Sequence, residues 1–242
     1  MHRLAKSGFN QSYTYFTWRN TAWELKAYMD DLAAVADYFR PNFWPNTPDI
    51  LPAYLQADGR AAFIVRLILA ATLSSNYGIY GPSYELLDNK ARLPGTEEYL
   101  DSEKYQIRSW NFDDDVSLSP LIGFINQIRR EHPALQHTHN VAFNATDNDT
   151  ILCYTKRWGD DVIICVVNLD PHHKQTGWIE VPIDELGIGE HQSYQVHDAI
   201  TDRRFLWGGR HNYVELDPQG VPAHLFVVRR HIRTEHDFDY FL

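Results

Sequence analysis

Cysteine is scarce, and what little there is lies in the wrong places for a disulfide scaffold. The only two in 242 residues, Cys153 and Cys165, sit inside apolar, strand-like runs. They read as reduced core residues, with a cross-strand bridge the lesser alternative. Positive charge is also short: 22 Lys and Arg against 32 Asp and Glu leave a formal charge of -10. A nucleic-acid partner is excluded on that count, since phosphates must be met by clustered cations. The pairs Arg129-Arg130 and Arg229-Arg230 are isolated and read as solvated helix ends or strand edges. Long hydrophobic runs are missing as well. The longest, Ala61 to Leu73, is interrupted by Arg66 and is too short for a bilayer, so no membrane role is expected. The N-terminal Met-His-Arg-Leu-Ala-Lys-Ser-Gly has no signal-peptide pattern, and a soluble, cytoplasmic protein is expected. No Gly-x-Ser-x-Gly, P-loop or dinucleotide fingerprint occurs, so no cofactor is expected. The pairs His172-His173 and His137/His139 lack the Cys or helical i, i+4 partners of a metal site, and none is expected.

What is present is enough apolar material for one or two domains, with 44% hydrophobic and 14% aromatic side chains. The first part alternates strand-like and helix-like segments, the signature of strands wrapped by crossover helices. Ser12 to Trp18, rich in aromatic and β-branched residues, predicts a strand. Thr21 and Glu24 make a capping box, and Leu25, Tyr28, Leu32 and Val35 recur at helical spacing through about Phe39. A short strand near Asn42–Trp44 runs into Pro45-Asn-Thr-Pro-Asp49, where two prolines stop pairing. Residues 59–74 predict a buried helix, Tyr77 to Pro82 a strand and turn, and Ser119-Pro120 the start of a third helix reaching about Glu131. The polar stretch from Leu87 to Val116 has little periodicity but several aromatics, as expected of an ordered functional loop.

Past His132-Pro133 the composition shifts to short β-rich runs at 141–143, 151–156, 162–168, 178–181, 194–197, 213–216 and 224–228. Turn signals separate them, which predicts an antiparallel sandwich. Only about three strand-helix units precede this part, too few to close an eight-stranded barrel.

In a parallel barrel the working residues lie at the C-terminal ends of strands. Here those are Thr17 to Asn20, Asn46 to Asp49, and Tyr80 through Glu85. An Asp after a strand and a Pro is also an ordinary turn or N-cap residue, and by the residues alone Asp49 reads that way. Glu97 to Tyr105 combines polar groups and aromatics suited to gripping sugar hydroxyls and stacking on pyranose rings, although a solvated loop would look the same. Lys104 is a point charge able to pair with a substrate phosphate.

Gly8 to Asn20, Phe39 to Asp49, Gly78 to Pro82 and Glu98 to Arg108, in that order, resemble the α-1,4-glucan:maltose-1-phosphate maltosyltransferases of the α-amylase superfamily. The resemblance runs along essentially the whole chain. It implies the C-terminal part of a (β/α)8 catalytic barrel over residues 1–137 and an antiparallel β-sandwich domain over 138–242. It also implies transfer of a maltosyl unit from α-maltose 1-phosphate to the non-reducing end of an α-1,4-glucan, with release of phosphate. The chemistry of that family is retaining: a carboxylate attacks, a second carboxyl assists the leaving group, and a covalent glycosyl-enzyme forms. Those two groups lie on barrel strands upstream of the segment Met1 to Asn20 resembles, so this chain is expected to lack both and to be inactive alone. Asp49 matches the third carboxylate, the transition-state stabiliser, and Lys104 and Tyr105 match donor-side binding residues. A starch hydrolase would carry His where this chain has Pro48. Maltose 1-phosphate and α-1,4-glucan are the implied partners, and the intact enzyme is expected to be a homodimer. The alternatives are a fragment of an α-glucan hydrolase, or a noncatalytic carbohydrate-binding module using Trp158, Trp178 and Trp207.

Overall fold

The computed structural model describes residues 1–57 and 59–229. Short parallel strands organise its first half. Helix α1 (His2–Lys6) precedes β1 (Ser12–Tyr13), which pairs in parallel with β2 (Pro41–Asn42). A parallel bridge from Phe43 to Tyr77 carries the alignment to a third segment, with Phe43 N donating to Asn76 O at 3.1 Å and Gly78 N to Phe43 O at 3.0 Å. The connections are helical, as parallel pairing requires. α2 (Ala22–Ala33) joins the first two segments, and α3 (Ala53–Ala57) with α4 (Gly59–Leu73) joins the second and third. α5 (Gly81–Glu85) follows, then a stretch without helix or strand up to α6 (Ser119–Glu131).

The capping box forms as expected: Glu24 N donates to Thr21 Oγ1, and Thr21 N donates back to Glu24 Oε2. That network lowers the Glu24 pKa, chiefly through the Thr21 N–H bound to its carboxylate. Other expectations shorten. Only Ser12–Tyr13 of the segment 12–18 is strand, and Tyr15–Trp18 is a 3-10 turn. The reason is Arg66, whose guanidinium takes the carbonyls of Phe16 and Arg19 at 2.6 and 2.5 Å and turns them away from a ladder. α2 ends at Ala33, not Phe39, where i→i−3 hydrogen bonds such as Val35 N to Leu32 O tighten the chain. Tyr77 keeps a single bridge because Tyr80 N is drawn to the Asn46 side chain.

The second half is antiparallel. β3 (Val141–Asn144), β4 (Ile151–Trp158), β5 (Asp161–Asn168), β6 (Gln175–Glu180), α7 (Ile183–Leu186), β7 (Ser193–Asp198), β8 (Arg204–Gly208), β9 (His211–Leu216) and β10 (Ala223–Arg229) follow in order. Six make one sheet in the order β3-β4-β5-β10-β7-β8, and β6 pairs with β9 as a separate ribbon. β8 escaped the sequence reading because its Arg204-Phe-Leu-Trp-Gly carries no clean alternation.

Strands β4 and β5 are buried on both faces, which is why they read as unbroken apolar runs. One face, with Ile151, Cys153, Ile164 and Val166, packs under the β6–β9 ribbon through Ile179 and Val214. The opposite face, with Leu152, Tyr154, Ile163 and Cys165, packs on the helices. The register pairs Cys153 with Val166 and Tyr154 with Cys165, so the two thiols point to opposite faces and no bridge forms. Burial pushes the Cys165 thiol up to about 12.

Polar bonds cross the seam between the helices and the sheet. Tyr154 Oη meets Thr72 Oγ1 at 2.5 Å, and the fully buried Lys156 ammonium donates to Thr72 O and His137 O at 2.7 and 2.5 Å. Asp161 receives the His132 ring at 2.8 Å and Ala134 N at 2.9 Å. α4 lies at the centre, buried at every position from Ala61 to Leu73. No helix among the described residues is long and apolar enough to cross a membrane.

Candidate functional site

The site is assembled where the three parallel segments end. Thr17 Oγ1 donates to Trp44 O at 2.6 Å, tying the first end to the second. Asn46, fully buried, ties the second to the third. Its Oδ1 accepts from Tyr80 N at 2.9 Å, and its Nδ2 donates to Tyr80 O at 3.2 Å and Tyr99 Oη at 2.8 Å. A buried amide that satisfies both its ends in this way fixes backbone position as firmly as a strand ladder.

Beneath these ends lies Arg66. Leaving a guanidinium unpaired among side chains such as Leu67 and Ile68 would cost several kcal/mol. Arg66 instead directs Nη1 and Nη2 to the Arg19 and Phe16 carbonyls, and its guanidinium stacks 4.0 Å from the Phe16 ring. Desolvation still lowers its pKa to about 10. The charge that interrupts the apolar run was the visible signal of this bracket.

Asp49 is held in a tight turn in which Thr47 and Ile50 exchange backbone hydrogen bonds, 3.1 Å from Thr47 N to Ile50 O and 3.2 Å in return, while Asp49 N donates to Thr47 Oγ1. Its carboxylate points outward. The long loop after α5 meets it there, with Lys104 Nζ 2.5 Å from Asp49 Oδ1. Fifty-five positions of sequence separate the pair, and the contact raises the Lys104 pKa, keeping that side chain a cation. Tyr105 extends from the same loop, with its ring 70% exposed and the Arg92 guanidinium 5.6 Å from its centre. The structure therefore joins Asp49 directly to Lys104 and puts Tyr105 beside them by chain connectivity.

The loop is anchored on both sides of Lys104. Leu51 N donates to Glu97 O at 2.7 Å, and Trp18 Nε1 donates to the Glu97 carboxylate at 2.8 Å. Glu103 accepts from Tyr80 Oη and, at 3.1 Å, from Trp110 Nε1. The Tyr80 hydroxyl holds the Glu103 carboxyl below its usual range, and desolvation with that same contact pushes Tyr80 up to about 12. Arg108 closes the loop on Asp88 at 2.6 Å and lies 3.8 Å over the Trp110 ring. Asn46, Arg66, Glu103 and Trp110 were not assigned roles from sequence, because each acts through a partner far along the chain. Chemically, the cluster offers an exposed carboxylate beside an ammonium, with aromatic rings alongside. No group of three or more His, Cys, Asp or Glu that could hold a metal occurs among the described residues.

Residues 143–228 match the family described as GLGE, C-terminal. A Streptomyces coelicolor protein, alpha-1,4-glucan:maltose-1-phosphate maltosyltransferase 2, is 52% identical over 95% of the chain and 35% of its own length. The alpha-1,4-glucan:maltose-1-phosphate maltosyltransferase of Chlorobaculum tepidum is 48% identical over 94% of the chain and 35% of its own length. This chain is homologous to the C-terminal portion of these maltosyltransferases. It spans about a third of the length of the curated maltosyltransferases it matches. Among solved structures, an Anoxybacillus α-amylase superposes with a TM-score of 0.69 at 12% identity, over 96% of this chain and half of the other. The α-amylase of Geobacillus thermoleovorans, complexed with acarbose, gives 0.66 at 12% identity, over 94% and 50%. At that identity the likeness speaks for the fold alone.

Proposed function

We propose that this chain is the C-terminal portion of a retaining maltosyltransferase. The intact enzyme would move maltosyl units from α-maltose 1-phosphate to the non-reducing end of an α-1,4-glucan and release phosphate. Residues 1–137 are then the later part of a (β/α)8 barrel, and 138–242 its C-terminal β-sandwich domain. The observation that carries the reading is the Asp49–Lys104 pair at the ends of the parallel segments, with Tyr105 next in the loop. It is supported by relatives that are about half identical over nearly the whole chain.

In this reading a carboxylate from barrel strands outside these residues attacks the anomeric carbon as the phosphate leaves with a proton-donating carboxyl behind it. The glycosyl-enzyme ester is then opened by an acceptor hydroxyl. Asp49 holds sugar hydroxyls and stabilises the positive charge that develops at the ring in both steps. Lys104 keeps that carboxylate oriented and presents its ammonium to the donor side, and Tyr105 stacks on a sugar face. A cytoplasmic setting and a homodimeric intact enzyme belong to the same proposal.

The test is phosphate release from maltose 1-phosphate in the presence of glycogen. Transfer is expected from the full-length enzyme and none from this chain alone. Brisk release by the chain alone would overturn the assignment of nucleophile and acid to other residues.

A further inference from the structure

The outer face of the sandwich carries two aromatic rings that the transfer reading leaves unused. β6 and β9 form a ribbon only two strands wide against a sheet of six. Across that ribbon Trp178 stands directly opposite Tyr213. Their neighbours Ile179 and Val214 point into the core, whereas Trp178 and Tyr213 point out and stay 50% and 51% exposed. The two ring centres are 5.6 Å apart and the planes meet at 64°, forming a ledge. Rings exposed singly, such as Trp23, need no account, whereas two set side by side across a strand pair make a contiguous apolar surface on which a flat ligand can lie.

The ledge leads into a cavity. Because the ribbon is narrower than the sheet it covers, a space of about 270 Å³ stays open where β8 and β9 approach, lined by Arg203, Phe205, Trp207, Tyr213, Glu215 and His224. Trp207 and Phe226, 4.8 Å apart, are nearly buried and make its floor. Tyr213 belongs to both ledge and cavity, and the two form one continuous surface.

The chemistry of this surface selects its occupant. It presents the Glu215 carboxylate, paired with Lys174 Nζ at 2.6 Å, and the Arg203 guanidinium, while the His224 ring is committed to Asp198 and to Glu215 O, so no field of a single sign invites a polyanion or a polycation. Two half-exposed rings fall far short of the roughly 800 Å² per partner of a standard protein interface. Flat rings flanked by mixed hydrogen-bonding groups suit a neutral polyhydroxylated chain.

We propose that the Trp178–Tyr213 ledge and its cavity bind an α-glucan chain, with pyranose faces lying on the two rings and hydroxyls bonded by Glu215 and Arg203. The choice of α-glucan among neutral polysaccharides rests on the proposed maltosyl transfer. Such a surface anchors the polymer and raises the effective concentration of its chain ends at the transfer site.

Mobility of the full chain in a native gel containing glycogen tests the proposal. Wild type is retarded, and Trp178→Ala and Tyr213→Ala each weaken the apparent affinity by about tenfold. Trp23→Ala, at a ring 77% exposed on α2, leaves it unchanged. All three positions are exposed, and matching circular dichroism verifies that each variant is folded. No retardation of wild type, or retardation indifferent to both ledge substitutions, overturns the proposal. The two readings fail separately. Ledge-dependent retention with no phosphate release from the intact enzyme would remove the transfer reading and leave the glucan surface standing, and the converse would do the reverse.

Discussion

At the scale of single residues, the decisive contact is Lys104 Nζ on Asp49 Oδ1. Because the carboxylate is the main cause of the raised Lys104 pKa, Asp49→Asn should return it toward its ordinary 10.5, a change read by NMR titration of the lysine side chain in this chain as it stands. In the intact enzyme the same substitution removes a charge aimed at the developing oxocarbenium, and kcat should fall by about 10²-fold or more. An unchanged kcat would take Asp49 out of the reaction. Lys156 makes a different prediction. Desolvation lowers its pKa to about 7, below the 10.5 of an exposed lysine, so between those values the unfolded chain binds the extra proton. Stability therefore rises with pH across that window. Urea unfolding of wild type and Lys156→Met should show wild type gaining relative to the variant from pH 7 to 8.5, since the two cysteines are common to both chains. A constant difference would mean that the ammonium keeps its proton through its two carbonyl acceptors.

Elements depend on local chemistry that one substitution can remove. The Thr21–Glu24 capping box satisfies first-turn donors of α2 in both directions. Thr21→Ala should cost about 1 kcal/mol by denaturant unfolding, with the structure otherwise kept. The third parallel segment depends on close approach. A Cβ on Gly78 would stand 2.7 Å from the Trp44 ring, which itself stacks on Tyr13 at 5.7 Å, so the ring must shift against that stack. Gly78→Ala should cost roughly 1–3 kcal/mol and alter tryptophan fluorescence as Trp44 shifts.

For the whole molecule, the β sheet is a wall shared by two cores. Its helix-side face, with Leu152, Tyr154, Ile163 and Cys165, belongs to the same cluster as α4 and α6. Residues 138–242 expressed alone should expose that face and bind a hydrophobic dye, whereas the full chain should unfold in one cooperative transition. A soluble, dye-silent fragment would show that the β domain stands by itself. The wall also explains which elements were legible. β4 and β5, apolar on both faces, and β9 and β10 announced themselves by composition, whereas β8 is an edge strand whose pattern is set by the neighbour it meets. The helices fared similarly. α4 and α6 were readable almost to the residue, whereas α2 stopped early where no local signal marks its end.

The sequence by itself determined what depends on near neighbours and on total composition: the capping box, the buried helix, the run of β strands, the acidic balance and the family resemblance that singled out Asp49, Lys104 and Tyr105. Only the tertiary structure decided what depends on residues far apart in the chain. Asn46 joins two strand ends, Arg66 takes the carbonyls of a segment that would otherwise extend, and Asp49 meets an ammonium fifty-five positions away. No periodicity records such contacts, because each exists only once helices and sheet have packed and brought distant polar groups within hydrogen-bonding reach.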